Sequence, residues 1–132
     1  MPEKKKILIV DDVQLNISIL AELLKDKYNT CYALNGIDAL EVVASQAIDM
    51  VLLDLEMPGM DGLEVCAKLK ADPEKCEIPI IFVTGADDVK KKAKAMDLGA
   101  ADYLPKPVDP PIIKRQIQEI FFQEQQRKMI IS

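Results

Sequence analysis

Histidine is absent from this 132-residue chain. That excludes imidazole acid–base catalysis, imidazole metal ligation and phosphohistidine chemistry carried on this chain itself. Cysteine is scarce: Cys31, Cys66 and Cys76 are odd in number and show no CxxC spacing. They read as reduced thiols of a cytoplasmic protein rather than a disulfide framework or a zinc site. Long apolar runs are missing too. The run Ile7–Val10 behind MPEKKK is shorter than the ~7–15 residues of a signal-peptide core, and no segment is long enough to span a bilayer. Nor is there an excess of basic residues. A net charge of −5 lacks the basic footprint that direct nucleic-acid binding needs, although it says nothing of an attached domain.

What remains is the composition of one soluble domain, with 49% hydrophobic residues to supply a core. Short apolar runs alternate with helical patterns. ILIV (7–10), MVLL (50–53) and IIFV (80–83) read as strands buried on both faces. YNTCYA (28–33) is more mixed, as an edge strand is, and ADYL (101–104) is a short fifth strand. Between them, Leu15, Ile19 and Leu23 predict one helical face. Ile37, Leu40 and Val43 predict a second, and Leu63, Cys66 and Leu69 a third. Val89, Ala93 and Met96 mark the fourth helix, and Ile113, Ile117, Ile120 and Phe121 the fifth. Asn35 and Asp61 are placed as helix N-caps, with Glu64 completing a capping-box pattern. Asp109 before Pro110 and Pro111 opens the last helix. Five alternations of strand and helix imply a parallel sheet with helices on both faces. The last residues, 123–132, read as a helical extension or linker.

The chemistry stands at the strand ends. Asp11 and Asp12 follow the first strand and Asp54 the third. Thr84 and Gly85 end the fourth, and Lys106 follows the fifth. A parallel sheet brings these ends to one edge, where open α/β sheets bind ligands. Each residue has an ordinary use: Asp11 and Asp12 as helix caps, Thr84 as a strand end, Lys106 as a solvated lysine. Their coincidence at one edge points to function. Two carboxylates ~4 Å apart repel by about 4 kcal/mol at an effective dielectric of about 20, and one lysine cannot balance three of them. A hard divalent cation such as Mg²⁺ can. A lysine and a hydroxyl beside it suit a phosphoryl group, with Asp54 as its nucleophile.

The motifs ILIVDD (7–12), LLDLEMPGMDG (52–62), VTG (83–85) and DYLPKP (102–107) resemble those of the receiver domain of two-component response regulators, of the chemotaxis-regulator kind. The resemblance runs from residue 5 to about 122. It implies a flavodoxin-like, doubly wound sheet of five parallel strands in the order 2-1-3-4-5 with five helices. It implies Asp54 as phosphoacceptor. Asp12, Asp54 and the backbone carbonyl of Glu56 are then Mg²⁺ ligands, and Asp11 reaches the metal through water; Mn²⁺ can substitute. Backbone groups of Glu56 and Gly85 would contact the phosphoryl group. Thr84 and Tyr103 would be the switch pair, Lys106 the phosphoryl-pairing lysine, and Lys106–Pro107 a cis bond.

The implied partners are a sensor histidine kinase or phosphotransfer protein and a downstream effector domain. A homodimer through the fourth helix, fifth strand and fifth helix is a further arrangement the family allows. The implied role is signalling, not enzymatic turnover. In the family, the residues two past the acceptor and two past the threonine, here Glu56 and Ala86, influence the phosphoryl lifetime. The run Lys90, Lys91, Lys92 and Lys94 is either a solvated face or a docking patch. Two other classes stand beside this reading. A haloacid-dehalogenase-type phosphatase uses the same residue types but needs its nucleophile in a DxD after the first strand. A flavodoxin-like cofactor binder would have its phosphate repelled by Asp11 and Asp12. Repulsion among the acids also predicts that neutralising Asp11 or Asp54 raises metal-free stability.

Overall fold

Apolar strand runs and helical segments alternate along the whole chain in the computed structural model, which describes residues 4–85 and 89–131. The elements are β1 (Lys6–Val10), α1 (Gln14–Leu24), β2 (Asn29–Ala33), α2 (Gly36–Ser45), β3 (Met50–Leu53), α3 (Gly62–Ala71), β4 (Ile80–Thr84), α4 (Val89–Asp97), β5 (Asp102–Pro105) and α5 (Pro110–Ile131). All neighbouring strands are parallel, in the order β2-β1-β3-β4-β5. Chain order reverses between β1 and β3, which places a crevice above their C-terminal ends.

Strand alternation divides the core into two layers. Leu8, Val10, Val51, Leu53, Ile80 and Phe82 face α2, α3 and α4. Ile7, Ile9, Met50, Leu52, Ile81 and Val83 face α1 and α5, where Ile113, Ile117 and Ile120 complete the layer. Every residue of β3 and β4 is buried, which is why these strands read as unbroken apolar runs. Each such Leu, Ile or Val contributes roughly 1.5–3 kcal/mol by leaving water.

Two caps are formed as the sequence predicts. Asn35 Oδ1 accepts from the Asp38 N–H at 2.8 Å, and Asp61 Oδ1 from the Glu64 N–H at 3.0 Å. Two helical faces differ. On α1 the buried residues are Ile17, Leu20 and Leu24, while Leu15 and Ile19 point outward. The helix is apolar on almost every side, so a four-residue spacing selects a stripe without saying which stripe meets the sheet. On α4, Val89 and Met96 are exposed and Ala95 is the buried residue. A polar helix docks here through a small side chain. On α2, Ile37 is also exposed, and Ala39 and Val43 carry the packing. One unbroken helix, α5, crosses position 122 and carries the chain outward.

Candidate functional site

Register sets the site. Val10 pairs with Leu53 across β1 and β3, so the residues that follow them emerge side by side. The Asp54 N–H donates to the Val10 carbonyl at 2.9 Å, and the Asp11 N–H to that of Ala33 at 3.2 Å. On the other side Thr84 pairs with Pro105, and the Lys106 N–H donates to the Thr84 carbonyl at 3.0 Å. The acids thus leave two adjacent central strands while the lysine arrives from the edge strand.

The side chains converge. Lys106 Nζ lies 2.6 Å from Asp11 Oδ2 and 3.4 Å from Asp54 Oδ2. One carboxylate oxygen from each of Asp11, Asp12 and Asp54 lies within 4.8 Å of the other two. Asp11 and Asp54 are 3% and 6% exposed, whereas Asp12 faces solvent. Burial of two of three clustered acids costs far more than a surface cluster would. Thr84 is 2% exposed at the end of β4. Tyr103 is half-buried, its ring 6.5 Å from that of Phe82 and 5.4 Å from Lys92 Nζ. Gly85, at the end of β4, and Glu56 are exposed, and the Glu56 N–H donates to Asp54 Oδ1 at 3.3 Å. Lys106–Pro107 is cis, as the resemblance implies. Ala86 lies outside the described residues.

The acids differ in how they are held. Asp11 Oδ1 accepts from the Val13 N–H at 2.9 Å. Its Oδ2 accepts from Asn16 Nδ2 at 3.2 Å and from Lys106. Asn16 is a site residue that the sequence pattern passed over, because on a helix of apolar spacing it looks like solvent-facing filler. Asp54 has the weaker set. Desolvation raises its pKa above the ordinary 3.8, and the Asp11 charge adds to this. Lys106 and the Glu56 N–H oppose it.

These contacts change the stability expectation. Asp11 is compensated, so Asp11→Asn, which removes a close partner of Lys106, should bring no gain. Asp54→Asn removes an under-compensated buried charge. A carboxyl whose pKa is raised by folding binds its proton more tightly in the native state, so stability falls as pH rises through the folded value. Without divalent cations, Asp54→Asn should therefore raise Tm at pH 7 by about 3–6 °C, the shift that ~1 kcal/mol produces at this size. The gain should vanish below the unfolded value near 3.8. Equal melting of variant and parent at pH 7 by calorimetry would contradict the assignment.

Concavity by itself does not mark the site. A cleft of about 650 Å³ lies at the opposite, N-terminal edge of the sheet, lined in part by Lys5, Tyr28, Asp49, Glu77 and Phe121. Its Glu77 and Glu124 pair with Arg127, which braces the end of α5 against the loop before β4. Two of the acids there share an arginine at the surface, whereas those beyond β1 and β3 are crowded, two of them buried.

Comparison with known proteins agrees with this geometry. Residues 7–118 match the family model of the response regulator receiver domain. The chain is 37% identical over 116 residues to the response regulator PleD of Caulobacter vibrioides, covering 87% of this chain and 26% of that protein. It is 41% identical over 111 residues to a probable cyclic di-GMP phosphodiesterase of Vibrio cholerae, covering 84% of this chain and 25% of that protein. It thus spans about a quarter of the length of these curated relatives. A solved CheY-like receiver domain protein from Methanospirillum hungatei superposes with a TM-score of 0.89 at 25% identity, covering 95% of this chain and 99% of that one. The receiver domain of an HD domain-containing protein from Pseudomonas fluorescens gives 0.88 at 27% identity, covering 94% and 99%.

Proposed function

The chain belongs to the response regulator receiver family, and from that premise we propose that it accepts a phosphoryl group on Asp54 from a phosphohistidine on a separate sensor kinase or phosphotransfer protein. The observation that carries this reading is the buried Asp11–Asp54–Lys106 contact set at the C-terminal edge of the sheet. A carboxylate oxygen of Asp54 attacks phosphorus. The new O–P bond forms as the N–P bond breaks, and the electron pair returns to the donor's imidazole. Lys106, already between both acids, pairs with the incoming phosphoryl oxygen, and the backbone N–H groups of Glu56 and Gly85 face it. Thr84 turns its hydroxyl toward the phosphoryl group, and Tyr103 follows inward beside β4.

Three carboxylate oxygens within 4.8 Å fit a hard divalent cation. Asp12, Asp54 and the Glu56 carbonyl would hold Mg²⁺, or Mn²⁺ in its place, with Asp11 reaching it through water. When bound, the cation offsets the negative charge that builds up between acid and phosphoryl group.

The output is a shift of the face made by α4, β5 and α5, read by an effector domain, by a partner or by a second copy of the chain. Residues 1–122 form the phosphoacceptor unit and 123–132 lead outward from it. The place of action is the cytoplasm; among the described residues no helix is long and apolar enough to cross a membrane. The role is that of a signalling phosphoacceptor, with self-dephosphorylation as its only turnover.

Incubation with acetyl phosphate and Mg²⁺ should give one hydroxylamine-labile phosphoryl group per chain, and prior chelation should abolish it. Label that is indifferent to chelation would defeat the metal assignment. Sustained turnover of p-nitrophenyl phosphate would instead favour the haloacid-dehalogenase type of phosphatase.

A further inference from the structure

Two residues past the acceptor stands a further carboxylate, that of Glu56, and a different element holds it. The Glu56 backbone is tied to Asp54 through its N–H. Its carboxylate Oε1 lies 3.1 Å from Lys91 Nζ on α4, 35 residues further along the chain. The pair lines a shallow hollow of about 360 Å³ with Met57, Pro58 and Asp61. Two carboxylates and one ammonium therefore line that hollow. Asp61 is committed to capping α3, so Glu56 is the acid free to change direction. The next lysine, Lys92, stands over the Tyr103 ring. Ala95 is the buried residue of α4, and adjacent lysines of this helix reach the Glu56 carboxylate and the Tyr103 ring.

We infer that Lys91 is a positioning residue for phosphoryl acceptance, holding the Glu56 carboxylate outward and screening it from an incoming anionic phosphodonor. The inference rests on the acceptor role of Asp54. With Lys91 removed, Glu56 can swing back toward Asp54, where it opposes a group carrying a charge of about −1.5 to −2. Both side chains are substantially exposed, so the pair adds little to stability. Its effect falls on the rate at which an anion reaches the site, and that effect is screened by salt.

The test uses the full chain with Mg²⁺ and acetyl phosphate at low ionic strength, followed by stopped-flow or timed labelling. Lys91→Met should slow acceptance by ~3–10-fold, and Lys91→Arg should return it to within ~2-fold of the parent. In a Glu56→Gln background, Lys91→Met should change the rate by less than ~2-fold, because the coupling is gone. The slowing should fade in ~0.5 M salt while Tm stays level. Parent-like rates in Lys91→Met, or equal slowing with and without Glu56, would overturn the positioning role. A parent chain that takes no label overturns the acceptor reading and this inference with it. Label that ignores Lys91 overturns this inference alone.

Discussion

Asp54→Asn should abolish phosphoryl acceptance, lowering incorporation from acetyl phosphate by ~10³-fold or more, the scale on which loss of a nucleophile is felt. The amide keeps the shape of the side chain and loses the anionic oxygen that attacks phosphorus. Its partners remain in place, since the Glu56 N–H can still donate to the amide oxygen and Lys106 keeps Asp11. Loss of label cannot then be ascribed to unfolding. The same variant is expected to melt higher than the parent without divalent cations. Undiminished labelling would move the acceptor role to another of the three clustered acids, and mapping the modified peptide would say which.

Gly62→Ala should be severely destabilising, by about 3–5 kcal/mol, because its methyl group would have to overlap main-chain atoms. A Cβ at position 62 would lie 2.2 Å from the Asp54 carbonyl oxygen and 2.9 Å from Leu55 Cα. Neither can yield: the Gly62 N–H donates to the Leu55 carbonyl at 3.0 Å, locking the start of α3 against the acceptor loop. Relief would require moving Asp54 itself, so surviving protein should also label poorly. Gly59→Ala is the control. Its φ of +76° costs an alanine roughly 1 kcal/mol, and nothing lies within 4 Å of the added carbon. Urea denaturation of both variants would separate crowding from backbone conformation. A Gly62→Ala midpoint no lower than that of Gly59→Ala would refute the close-approach argument.

Sequence and structure diverge in an instructive place. On α1, Leu15, Ile19 and Leu23 form a correct helical spacing, but only Leu23 touches the core and Leu15 and Ile19 face solvent, because Ile17, Leu20 and Leu24 offer an equally apolar stripe. On α4 the apolar residues are the exposed ones, and Ala95 makes the contact. Periodicity reports that a helix exists. Which side meets the sheet depends on the neighbour it packs against. The expectation for Asp11 changes for a related reason. Its charge was legible, but its compensation by Asn16, the Val13 N–H and Lys106 was not, since Lys106 lies 95 residues away in the chain.

The sequence by itself determined the alternation of strands and helices, the caps at Asn35 and Asp61, and the placing of Asp11, Asp12, Asp54, Thr84 and Lys106 at strand ends. Each of these is local, written in runs of a few residues whose backbone preference and burial need no distant partner. The tertiary structure alone decided which acid is compensated, which helix faces are buried, why position 62 admits only glycine, and that Lys91 holds Glu56. Those depend on distances between residues far apart in the chain, and only the packed sheet and its register set such distances.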